Sequence, residues 1–132
     1  MTLIDTTMWI HFLRRNGDLN HKIAVRDLLA NGTAAYTCPV HYELVQGARP
    51  NELPDLLTAL GLANRILLRA EHWDTSAALA ARLRGSGLTI PTLDIMIASV
   101  AVTHGLPLLT NDTHFLTLQQ TELPSLRILP AN

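Results

Sequence analysis

With 132 residues, 48% of them apolar and 16% charged, the chain suits one domain with a substantial core and is unlike a disordered polypeptide. A formal net charge of −1 argues against a uniformly basic nucleic-acid binder, and no apolar run reaches the roughly 18–20 residues of a membrane span. The opening MTLIDTTMWIHFLRR has no basic start and does not read as a signal peptide, and the lone Cys38 rules out an intramolecular disulfide, so a cytoplasmic location is expected.

Thr2-Leu3-Ile4 predicts a first strand ending at Asp5. Thr6 or Thr7 stands where it can cap the next helix, whose apolar face is Trp9, Ile10 and Leu13. After a loop at Asn16-Gly17-Asp18, a second helix is expected from Leu19 to Ala30, burying Ile23, Leu28 and Leu29 and stopping at Asn31-Gly32. Thr33 to Thr37 reads as a second strand, with Cys38 a buried thiol at its end. Pro39 then opens a helix that carries Glu43 and stops near Gly47. A further helix is expected over Pro50–Leu60, a third strand over Arg65–Leu68, and an alanine-rich helix over Asp74–Arg84 with Leu79 and Leu83 inward.

Thr92 is the expected cap of a helix beginning near Leu93. Leu93, Met96, Ile97, Val100 and Ala101 share one face, and Ile95, Ala98 and Val102 fill the others. A helix apolar nearly all round is buried nearly all round. That predicts packing against the sheet and against a second subunit. Gly105 ends the helix, Leu106–Thr110 suits a central parallel strand, and Ser125–Leu129 is the last strand. Strands separated by helices imply an α/β fold: a mainly parallel five-stranded sheet with helices on both faces, in one domain over 1–132.

Four of the eleven acids, Asp5, Glu43, Asp94 and Asp112, fall where a strand ends or a helix begins. In a parallel sheet those positions share one edge. If the strands before Asp5 and Asp112 are neighbours with helices on opposite faces, the crevice between them is a topological switch point, where ligands bind. Carboxylates gathered in a small cleft repel one another, and a divalent cation is the usual reason for tolerating that. Oxygen donors of this kind suit Mg²⁺ or Mn²⁺, and such a site points to metal-assisted attack of water on a phosphodiester. Thr6, Thr7 and Thr110 are placed to orient a carboxylate or water, and Asn111 to reach a phosphate. Each acid also has a plainer reading: Asp5 as a helix cap, Glu43 as a solvated helix residue, Asp94 as a partner of the helix dipole, Asp112 as part of an Asn-Asp turn.

His114, two residues past Asp112, is either a cleft residue linked to the metal or a packed loop residue. No H-x-x-H or H-E-x-x-H spacing supports a zinc protease, and no G-x-G-x-x-G, Walker or G-x-S-x-G motif is present. Trp9, Tyr42 and Trp73 read as core or interface. The basic residues are nine arginines and Lys22. Arg14, Arg15 and Arg82 are candidate phosphate contacts, with solvated helix ends as the alternative.

The stretches LIDTTMWI, PVHYELVQGA, IPTLDIMIASVAVTHGLPLLTND and THF, in this order over nearly the whole chain, resemble the PIN domain, and specifically VapC-type toxins. The resemblance implies a Mg²⁺- or Mn²⁺-dependent endoribonuclease acting on structured RNA such as tRNA or rRNA. It implies Asp5, Glu43, Asp94 and Asp112 as catalytic and metal-binding acids, with Thr6 and Thr110 as hydroxyls beside them. It further implies a homodimer neutralised by a cognate VapB-type antitoxin, with DNA reached only through that antitoxin and no membrane association. Where some members carry a further acid this chain has His114, which leaves a second metal open. The rival reading is a catalytically silent PIN-like module that binds metal or peptide.

Overall fold

Short apolar runs and parallel connectivity set the frame. The computed structural model describes residues 1–129, so the last three residues of the expected domain lie outside it. The strands β1 (Thr2–Ile4), β2 (Ala34–Thr37), β3 (Asn64–Ile66), β4 (Leu108–Leu109) and β5 (Ile128–Leu129) form one sheet in the order β3-β2-β1-β4-β5. Every neighbouring pair is parallel. β1 is the pivot: Leu3 lies opposite Ala35 on one side and Leu108 on the other.

The helices are α1 (Thr6–Leu13), α2 (Leu19–Ala30), α3 (Cys38–Gly47), α4 (Leu53–Gly61), α5 (Ala70–Gly85), α6 (Thr92–Thr103) and α7 (Thr113–Thr121). The chain leaves β1 towards β2 but leaves β4 in the opposite direction, towards β5. Right-handed crossovers therefore put α1–α4 on one face and α5–α7 on the other. Within each group α1 meets α2 and α3, α3 meets α4, and α6 meets α5 and α7, while α3 also meets α6. The expected fold class is the one observed.

Boundaries moved where side chains competed with simple periodicity. The alanine-rich helix starts at Ala70 rather than Asp74, because the Arg69 backbone N–H donates to His72 Nδ1 at 2.8 Å. That imidazole does what a Glu or Gln does in a capping box. α4 starts at Leu53 rather than Pro50, with Pro54 inside its first turn and the Glu52 carboxylate accepting from the Arg49 N–H. β3 lies earlier than expected because the Asn64 amide ties it to the Gly32 and Ala34 carbonyls of its neighbour. β4 is shorter than Leu106–Thr110, since the Leu106 N–H is spent on the Ala101 carbonyl that closes α6. β5 is likewise confined to its last two expected residues. Helix α7 was implied by the alternation of elements but not delimited.

Caps also changed hands. Asp5, not Thr6 or Thr7, caps α1, and Thr92 is the first residue of α6 rather than its cap, the cap being Pro91. Cys38 opens α3 half-buried, with Arg65 Nη2 3.8 Å from its sulfur. In α2 only Val25 is fully buried; Ile23, Leu28 and Leu29 are half-buried.

The core is formed by β1, β2 and β4 with one side of each helix, and Trp9 lies in it edge-on to Tyr36. Tyr42 and Trp73 are exposed, so the expectation of buried or interfacial aromatics holds within the monomer only for Trp9. Residues Ile95 to Ala101 of α6 are all buried by the chain itself. The all-round apolarity of this helix therefore needs no second subunit.

Candidate metal centre

Asp5 leaves β1 and Asp112 follows β4, and these strands are adjacent. Their C-terminal ends form the switch point anticipated from the sequence. Asp94 enters from the first turn of α6 and Glu43 from α3, which packs against α6.

Asp94, Asp112 and His114 are brought closest together. One ligand atom from each lies within 4.8 Å of the other two. His114 Nδ1 is 2.9 Å from Asp94 Oδ2 and 3.2 Å from Asp112 Oδ1. The third member of this group is thus the histidine, not Asp5 or Glu43. Its position follows from capping: Asp112 is the N-cap of α7 and accepts the His114 backbone N–H at 2.9 Å, which turns the imidazole back over the cleft.

Asp5 is sequestered beneath this group, 1% exposed. Its Oδ1 accepts from the Met8 N–H and from Thr7 Oγ1, and its Oδ2 accepts from Thr110 Oγ1. Thr110 in turn accepts the Asp112 backbone N–H at 2.9 Å, so one hydroxyl ties the two acids together across the strand pair. Burial pushes the Asp5 carboxyl up from 3.8 to about 6; hydrogen bonds from Thr110, Met8 and Thr7 oppose the shift, and the Asp112 charge adds to it. Asp94 is also raised, first by burial. The His114 hydrogen bond and charge pull it down, while Asp112 and Glu43 push it up. Glu43 Oε1 accepts from Thr6 Oγ1 at 2.7 Å. The four acids are therefore electrostatically coupled even though two stand outside the tight group.

The two threonines after Asp5 divide their work. Thr6 holds Glu43, while Thr7 holds Asp5 and also donates to Asn111 Oδ1 at 3.2 Å. Asn111 is exposed and its carbonyl faces Thr7. The role of Thr7 was indicated by its place two residues after the strand-end Asp, the spacing of a local side-chain turn.

A groove of about 950 Å³ runs from Thr6 and Glu43 along α1 and α4. Its floor includes Ile10, Leu13, Leu44 and Leu56, and Arg14, Arg15 and Arg49 stand on its walls. Arg82 is elsewhere, hydrogen-bonded to Glu122 at 3.1 Å, and is a surface ion-pair residue rather than part of this groove. No helix of the described residues is long and apolar enough to cross a membrane.

The sequence matches the PIN domain family over residues 2–119. The chain belongs to the PIN-domain family. It is 29% identical to a VapC ribonuclease of Mycobacterium bovis over 120 residues, covering 87% of this chain and 89% of the relative. Ribonuclease VapC11 of Mycobacterium tuberculosis is similar to the same extent. The fold superposes on the DNA-bound VapBC of Salmonella typhimurium with a TM-score of 0.80 at 18% identity over the whole of both chains. The match to VapBC2 of Rickettsia felis, solved with a DNA fragment from its promoter, has a TM-score of 0.77 at 21% identity over 98% of this chain and 97% of the other. At these identities the solved structures establish the fold alone.

Proposed function

We propose that this PIN domain is a divalent-metal-dependent endoribonuclease, the toxin of a toxin–antitoxin pair, hydrolysing phosphodiester bonds in structured RNA of the tRNA or rRNA class. The observation that carries the reading is the convergence of Asp94, Asp112 and His114 on one metal-sized space at the switch point. Similarity to VapC ribonucleases supports RNA as the substrate.

The donor set fits Mg²⁺ or Mn²⁺, with Asp94, Asp112 and His114 as the residues that would hold the ion. When bound, such an ion neutralises phosphate charge and makes water a better nucleophile near neutral pH. The chain's own side chains do the rest. Thr110 fixes Asp5 relative to the α7 N-terminus, keeping Asp112 in register with the buried carboxylate. Thr6 holds Glu43 on the opposite wall, close enough to raise Asp94, where it is placed to take a proton from attacking water. Arg14 and Arg15 line the groove that leaves this point and supply bidentate donors for RNA phosphates.

A VapB-type antitoxin is the proposed partner. Its neutralising segment would occupy the same groove and thereby exclude RNA, and DNA would be reached only through the antitoxin. Solved structural neighbours that are DNA-bound VapBC assemblies support an antitoxin partner. A homodimer is proposed through the α5–α6 side, where exposed Trp73 borders an apolar recess with Ala77, Ala80 and Met96.

Purified protein incubated with total tRNA and rRNA, with Mg²⁺ or Mn²⁺ and then with chelator, tests the reading. Cleavage that needs the ion and disappears in Asp94→Asn and Asp112→Asn supports it. Ion binding without cleavage would favour a silent binding module, and cleavage indifferent to chelator would overturn the mechanism.

A further inference from the structure

We propose that His114 is a direct nitrogen ligand of the ion, and that this single donor makes the site selective for Mn²⁺ over Mg²⁺. The inference rests on the metal-binding reading above and deepens it by naming which ion the site takes.

Geometry comes first. An octahedral ion with bonds of about 2.1 Å places adjacent ligand atoms roughly 3.0 Å apart. His114 Nδ1 stands 2.9 Å from Asp94 Oδ2 and 3.2 Å from Asp112 Oδ1. These are the lengths of two adjoining edges of such an octahedron. The three ligand atoms are thus spaced as donors around one cation would be. For the ion to enter, Nδ1 must present its lone pair, and the imidazole proton then resides on Nε2. The His114 side chain is 42% exposed, so Nε2–H is open to water and costs no buried donor.

Chemistry then sets the preference. Mg²⁺ is a hard ion that favours oxygen donors and keeps its waters, whereas Mn²⁺ takes the same carboxylates but, as a larger and less hard transition-metal ion, accepts an imidazole nitrogen more readily. A carboxylate at position 114 would add a third negative charge beside Asp94 and Asp112 and strengthen the pull on any hard cation. The imidazole supplies a third donor atom without that charge. Electrostatic attraction for Mg²⁺ is reduced, while the nitrogen compensates for an ion that binds it well. The backbone makes the placement firm: His114 is in the first turn of α7, and its N–H is already held by Asp112.

The test is spectroscopic and calorimetric, using metal-loaded protein without RNA. Pulsed electron paramagnetic resonance of bound Mn²⁺ reads directly whether a ¹⁴N nucleus is in its coordination sphere. Titration calorimetry gives the Mn²⁺ to Mg²⁺ affinity ratio for wild type, His114→Asp and His114→Ala, with circular dichroism confirming that each variant is folded. Wild type should show nitrogen coupling and favour Mn²⁺ by about tenfold or more. His114→Asp should lose the coupling and shift the ratio towards Mg²⁺ by a similar factor, and His114→Ala should lose the coupling and weaken Mn²⁺ more than Mg²⁺. Mn²⁺ bound with no nitrogen coupling, or a ratio unchanged by either variant, overturns the assignment and leaves the metal-dependent nuclease intact. Failure of wild type to bind Mn²⁺ at all overturns both.

Discussion

Asp5→Asn in metal-free protein isolates the cost of holding a carboxylate beneath the cleft. The folded-state carboxyl lies at about 6 against an ordinary 3.8, with burial as the main cause. Because the folded value is the higher one, the stabilisation is complete below about pH 4 and is lost as pH rises through about 6. Linkage over those two values removes roughly 1–2 kcal/mol by pH 5 and about 3 kcal/mol by pH 7.5, a difference of roughly 1–2 kcal/mol. Asparagine cannot ionise but can still cap α1 through its carbonyl. Urea unfolding of wild type and variant in chelator, at pH 5 and pH 7.5, should therefore show the wild type losing roughly 1–2 kcal/mol more than Asp5→Asn over that interval. Groups remote from the cleft titrate alike in both proteins and cancel. The hydrogen bonds to the charged carboxylate are already contained in that folded-state value, so the stability of the variant at pH 7.5 should equal or exceed that of wild type despite total loss of cleavage. Parallel pH dependence in the two proteins would refute the claim that a buried, charged Asp5 opposes folding.

Thr110→Val removes the hydroxyl joining Asp5 to Asp112 with little change of shape. RNA cleavage should fall about 10–100-fold with the fold retained, as measured by initial rates and thermal unfolding. Gly17→Ala would place a methyl 1.9 Å from the His11 carbonyl oxygen, forcing the α1–α2 turn apart; a loss of about 1–3 kcal/mol in urea unfolding is expected. His72 is buried, and burial, then the nearby His104 and Arg69, lower its pKa, while Glu71 opposes them. The unfolded chain thus takes up this proton first, so the stability His72 confers is present above its ordinary pKa of 6.5 and declines as pH falls below it. His72→Gln, which can still accept the Arg69 N–H, should flatten that acid limb of the stability profile.

Choosing between a capping and a catalytic reading of Asp5 and Asp112 proved unnecessary. Each caps a helix and stands at the cleft, because in a parallel sheet the residue after the strand is also the residue before the helix. The helix pattern of α6 was equally legible from its apolar residues, but that apolarity by itself did not require a second subunit. Periodicity reports that a face is covered without saying what covers it, and here the chain covers it itself. The arginines show the opposite limit. Arg14 and Arg82 look alike in the sequence, yet one lines the groove and the other pairs with Glu122. Surface placement of a long side chain depends on neighbours remote in the chain.

By itself the sequence determined the alternation of strands and helices, their parallel sense, and the confinement of four acids to one edge, because local periodicity and short crossovers dictate those features. Only the tertiary structure decided which donors meet. Strand order put β4 beside β1, so Thr110 could reach Asp5 across 105 residues, and the α7 cap swung His114 onto Asp94. Distances of a few ångströms between residues so far apart arise from the packing of whole elements, which no local pattern encodes.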